Sequence, residues 1–164
     1  MATPTTLPAS FSAGAVLTAA QMNNLRGAFR VLQVVAATYS TQTVSSSSTL
    51  ADTGLTASIT PSATSSKILV IVQQAGCGKT ASDTECEISL LRGVTNISTF
   101  GRCGLTSSTA NNIAGTQGTA YLDSPATTSS TTYKTQFKST AATGSAYVQQ
   151  SGSMSTIILM EISA

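Results

Sequence analysis

One stretch in the middle of the chain carries two different hydrophobic patterns. Residues 55–60 alternate apolar and hydroxyl side chains, which predicts a β-strand with one buried and one solvated face. Residues 68–72 are apolar throughout, so Leu69 and Ile71 would lie on the face opposite to Val70. This second strand is therefore predicted to need cover on both faces.

The continuous apolar pattern recurs near the C-terminus, in residues 157–160. Ile158 and Met160 would form the second apolar face of that strand. An antiparallel sheet usually buries one face and wets the other, whereas strands with two apolar faces usually lie beneath helices. Because the chain has almost no helical pattern, we expect another copy of the protein to cover the face that carries Leu69, Ile71, Ile158 and Met160.

Short strand patterns separated by turn residues fill most of the remaining sequence. Residues 131–138 alternate most clearly, with Tyr133, Thr135 and Phe137 predicted to face inward. Further strands are predicted at 29–39, 49–60, 67–74, 85–90, 95–100, 119–123, 146–150 and 155–162, with one weak strand inside the polar stretch 101–119. About eight short strands of this kind indicate an all-β fold, an antiparallel β-sandwich or jelly roll.

The first 28 residues are predicted to form a separate unit, an arm followed by a short helix. The arm, residues 1–15, is rich in Thr, Pro, Ala and Ser, and it is either a disordered tail or a docking arm with two apolar pegs. Thr18 and Gln21 fit a capping box, which predicts about two helical turns. Residues 29–164 would then form the sandwich domain. The candidate attachment residues of the N-terminal unit are Leu7, Phe11, Leu17, Met22 and Leu25.

Composition and charge narrow the classes of function. Charged residues make up 9% of the chain, and Ser and Thr together about a third, whereas charged residues are about 25% of a typical domain. The net charge of +2 is not gathered into a basic cluster, so a nucleic-acid partner is not expected. The chain has no apolar run of membrane-spanning length and no secretory signal pattern in its first ten residues. We therefore expect a protein that is made in a cytoplasm and has no membrane partner.

Cys77, Cys86 and Cys103 form an odd set in a chain without histidine or a C-x-x-C pair. The odd number argues against a disulfide framework, and the missing ligands argue against zinc. Cys86 is expected to be a small core residue. A Cys77–Cys86 bridge remains an open alternative, and no metal or other cofactor is predicted.

No residue pattern predicts catalysis. Residues 76–80 end like a phosphate-binding loop, but Gln73 replaces the first glycine of that motif and no helical pattern follows. The many serines have no histidine to act as a base. An acid–base hydrolase would have to use two of the six acids, such as Asp123 and Glu161. We therefore do not expect an enzyme.

Three other acids lie close together in the sequence, at Asp83, Glu85 and Glu87. They are predicted to face outward. A weak cation site is one interpretation, because hard cations bind carboxylate oxygen. The simpler interpretation is a solvated strand edge that discourages aggregation.

Several segments resemble proteins of tailed bacteriophages. Residues 14–25, GAVLTAAQMNNL, resemble the attachment segment at the start of many phage appendage proteins. Residues 55–62 and 65–70, together with 121–125 and 155–162, are similar to a small β domain of marine and cyanobacterial phage structural proteins. These segments are spread over most of the chain.

The resemblance implies a homotrimeric, non-enzymatic protein of the virion surface. Its N-terminal arm would bind the major capsid protein or another virion protein. An anchor of roughly thirty residues followed by one domain leaves no shaft, which favours a head decoration or cement protein over a long fibre. The alternative is a short tail fibre or spike that binds a host surface glycan through the loops 76–84, 101–118 and 139–145.

Overall fold

A computed structural model describes residues 31–104, 112–141 and 144–163, together with Gly14 and Val16. The described residues form an antiparallel β-sandwich of ten strands and one short 3-10 turn, Gln150–Gly152. The strands are β1 Val31–Tyr39, β2 Thr43–Ser45, β3 Ala51–Ile59, β4 Lys67–Lys79, β5 Cys86–Arg92, β6 Thr95–Cys103, β7 Asn112–Asp123, β8 Thr131–Ser139, β9 Ala146–Val148 and β10 Ser155–Ile162.

The ten strands are divided between two sheets. Sheet A has six strands in the order β1-β10-β4-β9-β2, with β7 on the other side of β4. Strand β4 is long enough to pair with β10 along its first half and with β9 at its end, while β7 runs beside nearly all of it. Sheet B has four strands in the order β3-β8-β5-β6.

The predicted all-β sandwich is confirmed, with ten strands rather than about eight. The predicted alternation of β8 is confirmed, because Tyr133, Thr135 and Phe137 are all fully buried. Strand β2 was missed, since its three residues lie in a stretch of hydroxyl side chains that is typical of a loop. The predicted N-terminal arm and helix, residues 1–28, lie outside the described residues apart from Gly14 and Val16.

The stretch that resembles a phosphate-binding loop lies in a strand. Residues 76–79 continue β4, and Lys79 is buried with no exposed surface. Gly76 has φ of +60° at the point where the register between β4 and β7 shifts, so the glycine accommodates an irregularity in the ladder. No helix follows within the described part of this segment. The arrangement is therefore not a phosphate cradle.

The core consists of two hydrophobic clusters along the length of the sandwich. The larger cluster packs apolar side chains of β3, β4, β8 and β10 around Tyr133. The smaller cluster surrounds Phe137 with Ile88, Val148 and the three cysteines. All three cysteines are free thiols, so the bridge between Cys77 and Cys86 that the sequence left open is not formed.

A layer of buried polar side chains separates the two clusters. Gln74 is fully buried, accepts a hydrogen bond from Thr135 Oγ1 at 2.8 Å and donates one to Ser155 Oγ at 3.0 Å. Thr53 joins the same layer through a 2.6 Å contact with the hydroxyl of Thr135, and Gln149 through a 3.1 Å bond to Ser155. Because buried polar groups are costly unless they are paired, this layer joins the two sheets at fixed positions.

Strand β3 contains an irregularity that only glycine fits. Its register with β8 shifts between Asp52 and Thr56, and Gly54 between them has φ of +89°. A Cβ atom at Gly54 would overlap the ring of Tyr39, which packs against the larger cluster from β1. Gly54 therefore provides both the left-handed backbone and the space for the ring.

Gly54→Ala is expected to lower the free energy of unfolding by about 3 kcal/mol, from backbone strain together with the displaced ring. Gly93→Ala is the matched control, because Gly93 also has a positive φ of +59° but nothing lies near its Cβ position. The control is expected to cost only about 1 kcal/mol. Urea unfolding of both variants measures the difference, and equal losses would contradict the role assigned to Tyr39.

Candidate functional site

The outer face of sheet A carries two rows of apolar residues that run across four strands. In the first row, Val34 of β1 pairs with Met160 of β10, which pairs with Leu69 of β4, which pairs with Leu122 of β7. The second row has the same strand order. These eight residues are called the apolar patch: Val34, Met160, Leu69, Leu122, Ala36, Ile158, Ile71 and Ala120.

The apolar patch lies on the side of sheet A that faces away from the core. Val70 and Leu159, which alternate with patch residues, are fully buried in the larger cluster. In the patch itself Val34 is 56% exposed and Leu122 is 58% exposed. The central side chains of β4 and β10 are partly covered, because they pack against one another along the rows.

Along the strands, a polar row borders the patch on one side and a largely apolar row borders it on the other. One border is the next row of the ladder, in which Thr38, Thr156 and Gln73 follow one another across β1, β10 and β4. In the other border Lys67, whose Nζ donates a 2.6 Å hydrogen bond to Ser124 Oγ, pairs with Ile162, which pairs with the half-exposed Val31. An apolar centre with a polar rim is the usual anatomy of a protein–protein interface, and the patch has that rim on one side.

The outer face of sheet B has the opposite character. Glu87 of β5 forms ion pairs with Arg102 of β6, at 2.5 Å, and with Lys138 of β8, at 3.0 Å. Farther along the same face, Lys134 pairs with Asp52 of β3 at 2.8 Å. The charged side chains on this face are therefore paired with one another. The candidate interaction surface is the apolar patch on sheet A.

The ion pairs also define the surroundings of two of the three acids that are close in sequence. Glu87 lies on the outer face of sheet B, but Arg102 and Lys138 cover it, so that it is only 6% exposed. Since β5 is also a central strand, the predicted solvated strand edge is wrong for Glu87. Glu85 lies 3.8 Å from the same arginine. Within the ranges the structure describes, no three side chains of His, Cys, Asp or Glu are grouped so that they could hold a metal ion.

Four of the nine residues proposed from the sequence lie together in the patch: Leu69, Ile71, Ile158 and Met160. Five lie outside the described residues: Leu7, Phe11, Leu17, Met22 and Leu25. Sequence reasoning missed Val34, Ala36, Ala120 and Leu122, which complete the patch from β1 and β7. Their strands were predicted in part, but the pairing that brings them beside β10 and β4 was not.

The two carboxylates considered for acid–base chemistry lie in one row of sheet A, one on each side of Ile68 of β4, and each is held by structural contacts of its own. Asp123 ends β7 in sheet A, and Arg92 Nη1 of sheet B donates to both of its oxygens at 2.9 Å. Tyr133 OH donates to Asp123 Oδ2 at 2.6 Å. Burial, and then the hydrogen bond to Asp123, raise the pKa of Tyr133. Asp123 therefore joins the two sheets at one end of the sandwich.

Glu161 fastens the connection between β3 and β4 to sheet A. Its Oε1 accepts hydrogen bonds from the backbone N–H of Ser62 at 2.7 Å and from the Ser62 hydroxyl at 2.6 Å. Its Oε2 accepts one from Gln33 Nε2 at 2.7 Å. Burial alone would raise the pKa of Glu161, but the hydrogen bonds from Ser62, Gln33 and Ser66 outweigh it and lower the pKa to about 2.

The lowered pKa of Glu161 makes stability depend on pH in the acid range. The folded carboxyl titrates near 2 and the unfolded one near 4.5, so its contribution of about 3 kcal/mol is complete above pH 4.5 and is lost as the pH falls toward 2. Urea unfolding at pH 7, 4 and 2.5 should show the gap between the wild type and Glu161→Gln closing as the pH falls. A gap that stays constant would contradict this assignment.

No protein-family model matches the chain, and a search of curated proteins found no significant similarity. In the described part of the chain, no helix has the length and apolar character needed to cross a membrane.

Proposed function

We propose that this chain is a non-enzymatic structural protein that assembles into a homotrimer through the apolar patch and decorates the surface of a tailed-phage head. The single observation that carries the proposal is the apolar patch: four strands present eight apolar residues to solvent, while the opposite face of the sandwich is covered by ion pairs. The trimeric state and the location in the virion are proposed from the resemblance of several segments to phage structural proteins.

The dimensions of the patch make it part of an interface between copies rather than the whole of one. Strands lie about 4.8 Å apart and alternate residues about 7 Å apart, which gives the patch an area on the order of 300 Å². A stable interface buries about 800 Å² on each partner, so the patch would be the apolar centre of a larger contact. Three copies arranged around one threefold axis would each turn this face toward two neighbours.

In this proposal the N-terminal residues 1–28 bind the capsid shell. Three copies of the segment in each trimer bind with avidity, so that each single contact can be weak. Neither a cofactor nor a catalytic group is required. The chain is made in the host cytoplasm and functions in the virion.

Two measurements test the proposal in sequence. Sedimentation of the purified full-length chain is expected to give a mass of about 50 kDa, three times the 16.6 kDa of one chain. A stable 16.6 kDa species at micromolar concentration would overturn the assembly.

Quantitative mass spectrometry of purified phage particles then gives the copy number, which is expected to be in the hundreds. About a dozen copies would favour the short tail fibre instead, and absence from the particle would reject both.

A further inference from the structure

Three buried thiols from both sheets meet in the smaller core cluster. Cys86 of β5 and Cys103 of β6 are direct partners in the ladder of sheet B. Cys77 reaches the same cluster from β4 in sheet A. Cys77 and Cys86 have no exposed surface, whereas Cys103 is 6% exposed and lies on β6, an edge strand. Cys103 is therefore the thiol nearest to solvent.

We propose that Cys86 and Cys103 are a site of reversible oxidation, at which a small soluble disulfide such as oxidised glutathione converts the two thiols into a cross-strand disulfide. This inference is independent of the proposed function. It concerns the interior of one chain, and it does not require the apolar patch or any partner.

The ladder favours this pair over either pair that includes Cys77. Residues directly opposite in an antiparallel ladder have Cα atoms about 4.5–5.5 Å apart, within the 4.4–6.8 Å that a disulfide accommodates. The sulfur of Cys103 lies 3.5 Å from the carbonyl oxygen of its ladder partner Cys86. Cys77 belongs to the facing sheet, so it is not a ladder partner of Cys86 or Cys103, although its thiol contacts that of Cys103.

The three side chains are also arranged so that one of them is the nucleophile. Hydrogen bonds from the thiols of Cys77 and then Cys86 lower the pKa of Cys103 to about 4. The same contact with Cys103 raises the pKa of Cys77 to about 12. Since the thiolate is the reactive form, the lowered pKa makes the most exposed of the three thiols also the one that loses its proton most readily.

The reaction is two successive thiol–disulfide exchanges. The Cys103 thiolate attacks one sulfur of the small disulfide, forms a mixed disulfide and releases one small thiolate. Cys86 then loses its proton to that thiolate or to water and attacks the Cys103 sulfur, which expels the second small thiol. The two cysteines are oxidised, and one small disulfide is reduced to two thiols.

Trypsin separates the three cysteines, which makes the test direct. Cleavage after lysine and arginine places Cys77 in peptide 68–79, Cys86 in 80–92 and Cys103 in 103–134. Native full-length chain treated with oxidised glutathione is expected to lose about 2 Da, the two thiol hydrogens. The digest is expected to contain peptide 80–92 joined to 103–134, and a reductant should separate the two peptides.

Several results would overturn the proposal: no change in mass, a glutathione adduct that persists on peptide 103–134, or a linked peptide that contains 68–79. Treatment of the unfolded chain controls for the reagent, because all three pairings should then form. Cys77→Ala should still form the disulfide, whereas Cys86→Ala should stop at the mixed disulfide with glutathione on peptide 103–134. The oxidised chain should melt roughly 5 °C higher than the reduced chain, because the bond closes a loop between neighbouring strands.

Discussion

Leu69→Glu is expected to convert the proposed trimer into monomers while leaving the sandwich folded. Leu69 lies in the first row of the apolar patch, between Met160 and Leu122. A carboxylate at this position would be enclosed by apolar side chains on association, which costs at least about 3 kcal/mol and weakens association by about 100-fold or more. In the separate chain the same side chain points toward solvent, so the fold should tolerate it.

Sedimentation and circular dichroism together measure this expectation. The mass at micromolar concentration should fall from about 50 kDa to the 16.6 kDa of one chain, with the β spectrum retained. Thr95→Glu is the control, because Thr95 is exposed on β6 of sheet B, away from the patch. A Leu69→Glu variant that remains trimeric would place the interface on another surface.

Asp123→Ala is expected to lower the free energy of unfolding by about 3 kcal/mol. The change removes the acceptor of Arg92 and of the fully buried Tyr133, so a buried hydroxyl and a partly buried cation lose their partner together. Breaking such a pair from one side costs more than the interaction contributes, because the remaining group stays desolvated.

The conservative variant Asp123→Asn separates charge from hydrogen bonding. Its amide oxygen still accepts from one donor, so about half of the loss is expected. Urea unfolding of the wild type and both variants measures the losses of stability. The midpoint urea concentrations can be compared directly if the three transitions have the same slope with urea concentration. Losses below about 1 kcal/mol for Asp123→Ala would show that this residue is not the tie between the sheets that its contacts indicate.

The sequence predicted most of the fold because the strands are half-buried and alternate. Strand β8 shows this best, since its inward and outward residues could be assigned directly from a period of two. Strand β4 was predicted to end near Gln74 but continues to Lys79. The extension was missed because Gly76 and Gly78 resemble turn residues, and only the partner strand β7 shows that the ladder continues beyond them.

The candidate surface was predictable in part, for a related reason. Leu69 and Met160 were identified because their own strands break the alternation of apolar and polar residues. Val34 and Leu122 belong to strands whose partners depend on contacts far apart in the sequence, and a single sequence without an alignment does not reveal them. The ion pairs on sheet B and the contact between Arg92 and Asp123 are long-range for the same reason.

Alternation of apolar and polar residues determines which face of a strand is buried, but it does not determine the register with the neighbouring strand. A shift of two residues restores the same pattern. Strand β10 has that ambiguity, with Ile157 and Leu159 interchangeable by size and polarity. Ser155 and Glu161 remove it, since each has hydrogen-bond partners at one end of the strand that a slipped alignment would leave unpaired. Ser155 and Glu161 thus fix the register of β10. Replacing both would permit molecules in which β10 is shifted by two residues and buries the same apolar side chains equally well.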